Sequence, residues 1–385
     1  MKTVFKCFFS FVFLLVLSLW LFGYGYIFRG LWSTYFRFEK SAQVDDARFF
    51  FNDTIAKSFH PFVWPKSINY NKKNLSEKLK KTLEEYKTHS FLVVHKDSLV
   101  FEEYWKNWSV SNNKSNSFSM AKSIVSLVSG LAVDDGFLSG FNQPIKSVFP
   151  EMSFYTGGKE VTLGDLLNMS AGLEWNENYF NPFNITARSY MAKDLKNLTL
   201  SLSFDSEAGV NYVYQSGATQ LATLMLDRVL KEKGEGGFSE YTQKKLWNNI
   251  GAEEDAFWSL DDKNGDVKGF CCFHSNAKDF AKIGRLFLNN GLVNDSVVIL
   301  KKWYFDRVFN GGLVDYYSYG WWKGTSLGVP IYYMRGFLGQ FVVVVPQYDL
   351  IIVRLGRKNL RNRNNPDLPT KPFEIYVSEV LKDFI

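Results

Sequence analysis

Ser119-Met120-Ala121-Lys122 places a hydroxyl and an amine three residues apart, at the mouth of a long apolar helical pattern running from Met120 to Phe137. Positions three apart on a helix share a face, so the lysine amine lies beside the serine hydroxyl. A serine hydroxyl is a poor nucleophile until a neighbour takes its proton, and a desolvated lysine can do so. Burial lowers a lysine pKa readily, which suits it to that task. The pair therefore points to acyl transfer.

Ser111-Asn112-Asn113-Lys114 and Ser275-Asn276-Ala277-Lys278 share the spacing. The first lies in a polar loop, Ser109 to Ser117, with nothing to desolvate its lysine. The second reads as a helix N-cap followed by a surface lysine. The Ser119 copy alone precedes a run apolar enough to be buried, from Ile124 through Val128 to Ala132.

A serine–lysine pair also needs a proton relay to the leaving group and donors for the oxyanion. Tyr212-Val213-Tyr214-Gln215-Ser216-Gly217 supplies a tyrosine just before a helix, and a phenol held near an ammonium is stabilised as phenolate. His95 and His274 read as structural. Asn168-Met169-Ser170-Ala171-Gly172 lacks the first glycine of a nucleophile elbow and reads as a helix end and turn. Glu174 and Trp175, just beyond that turn, are candidates to line a cleft, and so is the aromatic loop Tyr316 to Trp322.

The elements that must position these residues follow from periodicity. A charged helix is expected over Leu75 to Lys87. A β-hairpin follows, with strands Phe91-Leu92-Val93-Val94 and Leu99 to Tyr104 about a Lys96-Asp97 turn. From about 141 to 265 the pattern is mostly helices and loops, including Leu163 to Met169, Thr219 to Glu232 and Phe238 to Asn249. A helix at Ala277 to Asn289 follows. Strands return at Val329 to Arg335, Gly339 to Val345 and Leu350 to Leu355, the last two about a Pro346-Gln347-Tyr348-Asp349 turn. A loop at 359–371 and a closing helix from Pro372 to Ile385 complete the chain. Strands from the two ends can pair in one antiparallel sheet, with the helical middle as a lobe.

Composition narrows the functional classes. The chain of 385 residues is 46% hydrophobic and 17% aromatic, enough for a substantial core. Its net charge of +6 is spread along the sequence, with no basic stripe or aromatic-interleaved motif, which disfavours nucleic-acid binding. The four histidines do not cluster, there is no Cys-x-x-Cys, and no metal or cofactor is expected. Three cysteines give no disulfide framework; Cys271 and Cys272 are expected to be small, buried and free.

Phe8 to Ile27 is twenty residues without a charge, long enough to cross a hydrocarbon core. It ends in bulky residues where a signal peptidase needs small ones, so an uncleaved anchor is favoured over a removed signal. The flanking charges, Lys2 and Lys6 against Arg29, Arg37 and Lys40, leave the orientation nearly balanced.

Four segments come in a shared order: Ser119-Met120-Ala121-Lys122-Ser123, Val161 to Leu173, Tyr214-Gln215-Ser216-Gly217, and Arg335 to Gln340. With these, the chain resembles the serine β-lactamase-like hydrolases over residues 89–357, in the branch of class C β-lactamases, esterases and 6-aminohexanoate-dimer hydrolases. The resemblance implies an α/β fold of the β-lactamase and penicillin-binding-protein kind. In it an antiparallel sheet is flanked by helices and joined by a helical lobe, here with an N-terminal transmembrane helix. The expected organisation is an anchor or signal at 1–27, a lead-in at 28–88 and a hydrolase domain at 89–385, with the active domain periplasmic or extracytoplasmic.

By the same resemblance Ser119 would form the acyl-enzyme. Lys122 would accept its proton and hold Tyr214 ionised or strongly polarised, and Tyr214 would shuttle a proton to the leaving group. The N–H groups of Ser119 and Gln340 would form the oxyanion hole. Ser216 stands where relatives usually have Asn. At the third motif, Phe337-Leu338-Gly339 replaces Lys-Thr-Gly or His-x-Gly, and phenylalanine cannot bind a substrate carboxylate. Arg335 would share the face of Phe337 on an unbroken strand and could supply the missing cation, unless Gly336 marks a bulge. This departure favours hydrolysis of a small-molecule ester or amide with an apolar pocket. The alternatives are a D,D-peptidase or weak β-lactamase, and a binding or sensor domain that does not turn over.

Overall fold

A computed structural model describes all residues except 1, 40, 107, 109–113, 155–157, 180, 295–296, 361 and 363–364. Ser111, Asn112 and Asn113, the middle of the polar loop, thus lie outside the described residues.

Near-continuous apolar runs form strands buried on both faces. Gln340-Phe341-Val342-Val343-Val344-Val345 is β10, and Leu350–Gly356 is β11; every residue in both is buried. They sit at the centre of a seven-stranded antiparallel sheet, in the order β3-β2-β11-β10-β9-β8-β7. Its other members are β2 (Thr88–His95), β3 (Ser98–Tyr104), β7 (Tyr317–Ser318), β8 (Trp321–Ser326) and β9 (Val329–Gly336). The expected meeting of the two chain ends is the β2–β11 ladder, which places Val93 opposite Ile352. On one face α10 (Ala277–Leu288) lies so close that a Cβ on Gly284 would stand 2.9 Å from Ile351 Cγ2 and 3.0 Å from Val342 Cγ1. On the other face α12 (Lys371–Phe384) packs with α3 (Glu77–Glu85), and Phe373 meets Tyr333 and Phe341.

A smaller antiparallel sheet has the order β1-β5-β6-β4, from Phe51–Ile55, Ala256–Leu260, Phe273–Ser275 and Ser115–Asn116. The helix α4 (Ala121–Asp134) is buried from Ala121 to Ala132. Its serines are satisfied inside the core: Ser123 Oγ donates to Gly320 O, and Ser126 Oγ pairs with Tyr304 OH. The lobe comprises α5 (Leu163–Leu167), α6 (Ile185–Met191), α7 (Leu195–Leu200), α8 (Ser216–Glu232) and α9 (Phe238–Thr242), and α11 (Lys302–Asn310) packs beside α4. Thr162 and Asp165 form a reciprocal capping box that starts α5, and α5 ends at Leu167 ahead of the Ser170–Gly172 turn, as expected.

The N-terminal region departs from its sequence reading. The apolar helix α1 spans Lys2–Leu21, has no buried residue, and is long and apolar enough to cross a membrane. It stops before Gly23, whose φ is 77°. A second helix, α2 (Tyr26–Ser33), belongs to the body. Tyr26 OH donates to Pro182 O, and Arg29 donates to Phe49, Met191 and Asp261 carbonyls. The 28–88 segment is likewise woven in, since β1 is an edge of the smaller sheet and α3 packs on α12. Uncharged composition could not separate the exposed apolar helix from the docked aromatic stretch that follows.

Cys271 and Cys272 are buried but not free: a disulfide joins them. The left-handed backbone at Cys272 (φ 70°) turns the dipeptide so that the two sulfurs meet.

Candidate active site

Ser119 sits on a single 3₁₀ turn, Phe118–Met120, that feeds α4. Phe118 takes φ 45°, and Asn116 Oδ1 accepts its N–H at 2.8 Å. Across from it, the end of β9 closes on the turn. A Cβ on Gly336 would lie 2.1 Å from Ser117 O, so only glycine fits. Gly336 is therefore no bulge: the β9–β10 register runs regularly through Gly336↔Gln340 and Arg335↔Phe341.

Lys122 lies on the first turn of α4 and is buried. An ammonium has three donors, and all three are used. They go to Ser119 Oγ at 3.1 Å, Ser216 Oγ at 3.1 Å and Phe270 O at 2.8 Å. Burial, opposed by the Glu177 charge, pushes its pKa down to about 8.

Glu177 was not foreseen. Its Oε1 accepts from Ser216 Oγ and from Tyr179 OH, each at 2.6 Å. Its Oε2 accepts from Ser216 N–H at 2.8 Å and Trp175 Nε1 at 2.6 Å. Because Ser216 begins α8, the carboxylate also faces the positive end of that helix. Ser216 thus relays between Lys122, whose N–H it accepts, and Glu177, to which it donates.

Tyr214 shares a hydrogen bond with Ser119, and Lys122 Nζ stands 5.2 Å from its ring centroid. Burial raises the Tyr214 pKa, and the three lysine donors go to other partners, so the surroundings favour a polarised phenol over an ionised one. Tyr214 packs against Tyr317 and Trp322 of the aromatic loop, and Trp322 lines the cleft while Tyr317 is buried.

Two lobes of one cleft meet at Ser119. The more polar lobe, about 600 Å³, holds Tyr212, Tyr214, Glu177 and Arg335. The apolar lobe, about 500 Å³, runs under α2 and α6. Phe337 and Tyr179 line both lobes and stack with ring centroids 5.7 Å apart.

The third motif is a turn rather than a strand. Phe337, Leu338 and Gly339 connect β9 to β10, and Leu338 (φ 61°) and Gly339 (φ 84°) make the reversal. Phe337 therefore does not continue the face of Arg335. The Arg335 guanidinium donates to Asp367 O at 2.9 Å and Pro366 O at 2.8 Å and lies over Trp322. Gly339 faces away from the cleft, against Arg354.

Buried Arg354, also unforeseen, pins this turn. It donates to Leu338 O at 2.9 Å, Gly339 O at 2.7 Å, Thr88 Oγ1 at 3.0 Å and Tyr86 O. Gln340 is buried, and its side chain is spent on Gly356 and Phe337 O, which fixes the backbone at the strand start next to the Ser119 turn.

Glu174 and Trp175 line a separate cavity of about 800 Å³ that does not reach Ser119. Glu174 accepts from Ser203, and Trp175 serves the site indirectly by holding Glu177 and packing on Gly217. His95 and His274 lie off the cleft; His274 is buried beside Ser259. Lys278 is largely buried and paired with Glu102 rather than free at the surface. Among the described residues no group of His, Cys, Asp or Glu could hold a metal ion.

A family model described as Beta-lactamase matches residues 77–375. The 6-aminohexanoate-dimer hydrolase of Paenarthrobacter ureafaciens is 26% identical over 314 residues, covering 72% of this chain and 74% of the relative. A Bacillus anthracis protein thought to be a 6-aminohexanoate-dimer hydrolase superposes with a TM-score of 0.72 at 19% identity, over 89% of this chain and 92% of its own. A family VIII carboxylesterase superposes with a TM-score of 0.61 at 13% identity, over 83% and 99%. At those identities the superpositions show a shared fold.

Proposed function

The chain belongs to the beta-lactamase family, and on that premise we propose that it is a serine hydrolase that cleaves an ester or amide through a Ser119 acyl-enzyme. The observation that carries this reading is the buried Lys122 amine, 3.1 Å from Ser119 Oγ, with its pKa pushed down to about 8. Roughly a tenth of such an amine is neutral at pH 7 and able to take the serine proton. Ser119 Oγ adds to the acyl carbonyl as Lys122 accepts its proton. Tyr214, neutral at rest, passes a proton to the departing alcohol or amine. Water then cleaves the ester by the reverse relay, releasing the acid and restoring Ser119. The N–H groups of Ser119 and Gln340 are the oxyanion donors.

Ester and amide substrates are favoured over carboxylate-bearing β-lactams and D-Ala-D-Ala peptides. Phe337 brings no charge, and the Arg335 guanidinium is already engaged by loop carbonyls. We read the exposed helix α1, which is long and apolar enough to cross a membrane, as an anchor that holds the active domain outside the cytoplasm.

The test is mass spectrometry of the full chain after a fluorophosphonate probe and after p-nitrophenyl acetate, beside Ser119→Ala. A Ser119 adduct with steady turnover is expected. An adduct without turnover would mark a sensor, and no Ser119 adduct would overturn the assignment.

A further inference from the structure

The apolar lobe leads from Ser119 toward the membrane helix. Its far wall is α2, through Ile27, Gly30 and Leu31, and its near end is Ser119, Phe337 and Phe270. Only four residues separate α1 from α2. The outer surface of α2 and the segment after it are strongly apolar and uncovered: Trp32 is 64% exposed, Phe36 71% and Phe38 97%. Leu31 and Tyr35 belong both to this surface and to the lining of the lobe, so the lobe opens beside it. Trp20, Leu21 and Phe22, at the end of α1, extend the same character. Aromatic side chains at the end of an apolar helix are the usual occupants of a bilayer–water interface.

We infer that the substrate is a membrane-borne amphiphile with a fatty acyl chain, which enters beside α2 and lays that chain in the apolar lobe with its carbonyl at Ser119. This rests on the Ser119 hydrolase reading and names its substrate class. Ser119 Oγ–H displaces the lipid alcohol or amine, which leaves with the proton. Water then splits the acyl-serine bond, releasing a fatty acid and the serine hydroxyl. No co-reactant other than water is required.

Gly30 offers a clean probe. It lies within α2 and lines the lobe, and a Cβ there would meet only Met191 Cγ, at 3.9 Å, so a side chain can start from this position and reduce the space in the lobe. The experiment uses the full chain in phosphatidylcholine vesicles and p-nitrophenyl esters from acetate to laurate. For the wild type, kcat/KM should rise up to about fourfold per added methylene until the lobe is full. Gly30→Leu should cut the laurate-to-acetate ratio at least about tenfold, with circular dichroism and probe labelling of Ser119 reporting its fold. Trp32→Ser combined with Phe36→Ser should slow laurate more than acetate.

A flat chain-length series, with Ser119-dependent acetate turnover intact, would overturn the lipid substrate and leave the hydrolase. A steep series that Gly30→Leu leaves unchanged would trace the preference to partitioning and overturn it equally. Absence of any Ser119-dependent turnover would remove the hydrolase reading itself.

Discussion

Replacing Glu177 by Gln tests whether the network beneath the serine sets the base. The carboxylate is one hydroxyl away from the lysine, through Ser216 Oγ, with links of 3.1 and 2.6 Å. At a separation of about 5 Å and an effective dielectric of about 20, its attraction for the ammonium is about 3 kcal/mol. That corresponds to about two pKa units as an upper bound. The sign is fixed. Glu177 raises the Lys122 pKa against the depression caused by burial. Removing its charge must therefore lower that pKa further and make more neutral amine at a given pH. In the wild type, kcat/KM for p-nitrophenyl acetate should climb with pH to a plateau, with its midpoint near 8. In Glu177→Gln the midpoint should fall by about one to two units. The plateau should drop as well, because one carboxamide end is an NH₂ facing the N–H and O–H donors that Glu177 now accepts. A midpoint that stayed in place or moved upward would refute Lys122 as the titrating base.

Gly336→Ala should abolish turnover, because the new Cβ would stand 2.1 Å from Ser117 O and displace the Ser119 turn; crystallography of the variant beside its ester kinetics would show whether the turn moves. Arg354→Met should destabilise the protein by about 3 kcal/mol or more in urea titrations, since it orphans the Tyr86, Leu338 and Gly339 carbonyls. Arg354→Lys should rescue only part of this, lacking the guanidinium fork. Burial pushes His274 down to about 3, so the folded ring stays neutral while the unfolded one protonates below about 6.5. Stability is then full above that pH and lost as pH falls, by about 1.4 kcal/mol per unit toward pH 3. The urea midpoint at pH 5 against pH 7.5, in wild type and His274→Asn, measures it, and an identical pH slope in both would sink the argument.

The parts of the site legible in the sequence are those set by local geometry. Ser119 and Lys122 lie three apart where a 3₁₀ turn runs into α4, so their meeting at 3.1 Å follows largely from local helical spacing. The apolar runs of β10 and β11 were likewise legible as strands paired about the Pro346-Gln347-Tyr348-Asp349 turn. Tyr214 was legible as the residue before a helix, and it does reach Ser119.

What tertiary structure decided is what depends on long-range contact. Glu177 is in a loop without periodicity, and its value comes from the start of α8, to which nothing local joins it. Arg354 reads as an interruption in an apolar strand until its fork is seen holding a turn formed elsewhere in the chain. Phe337 left the strand face expected for it because Leu338 and Gly339 adopt left-handed backbone, a choice enforced by packing against Arg354. The uncharged N-terminal stretch looked continuous, yet α2 docks on the lobe through Tyr26 and Arg29. Periodicity sets which side chains share a face. Which faces meet, and therefore which charges sit beside the serine, is decided only when the core closes.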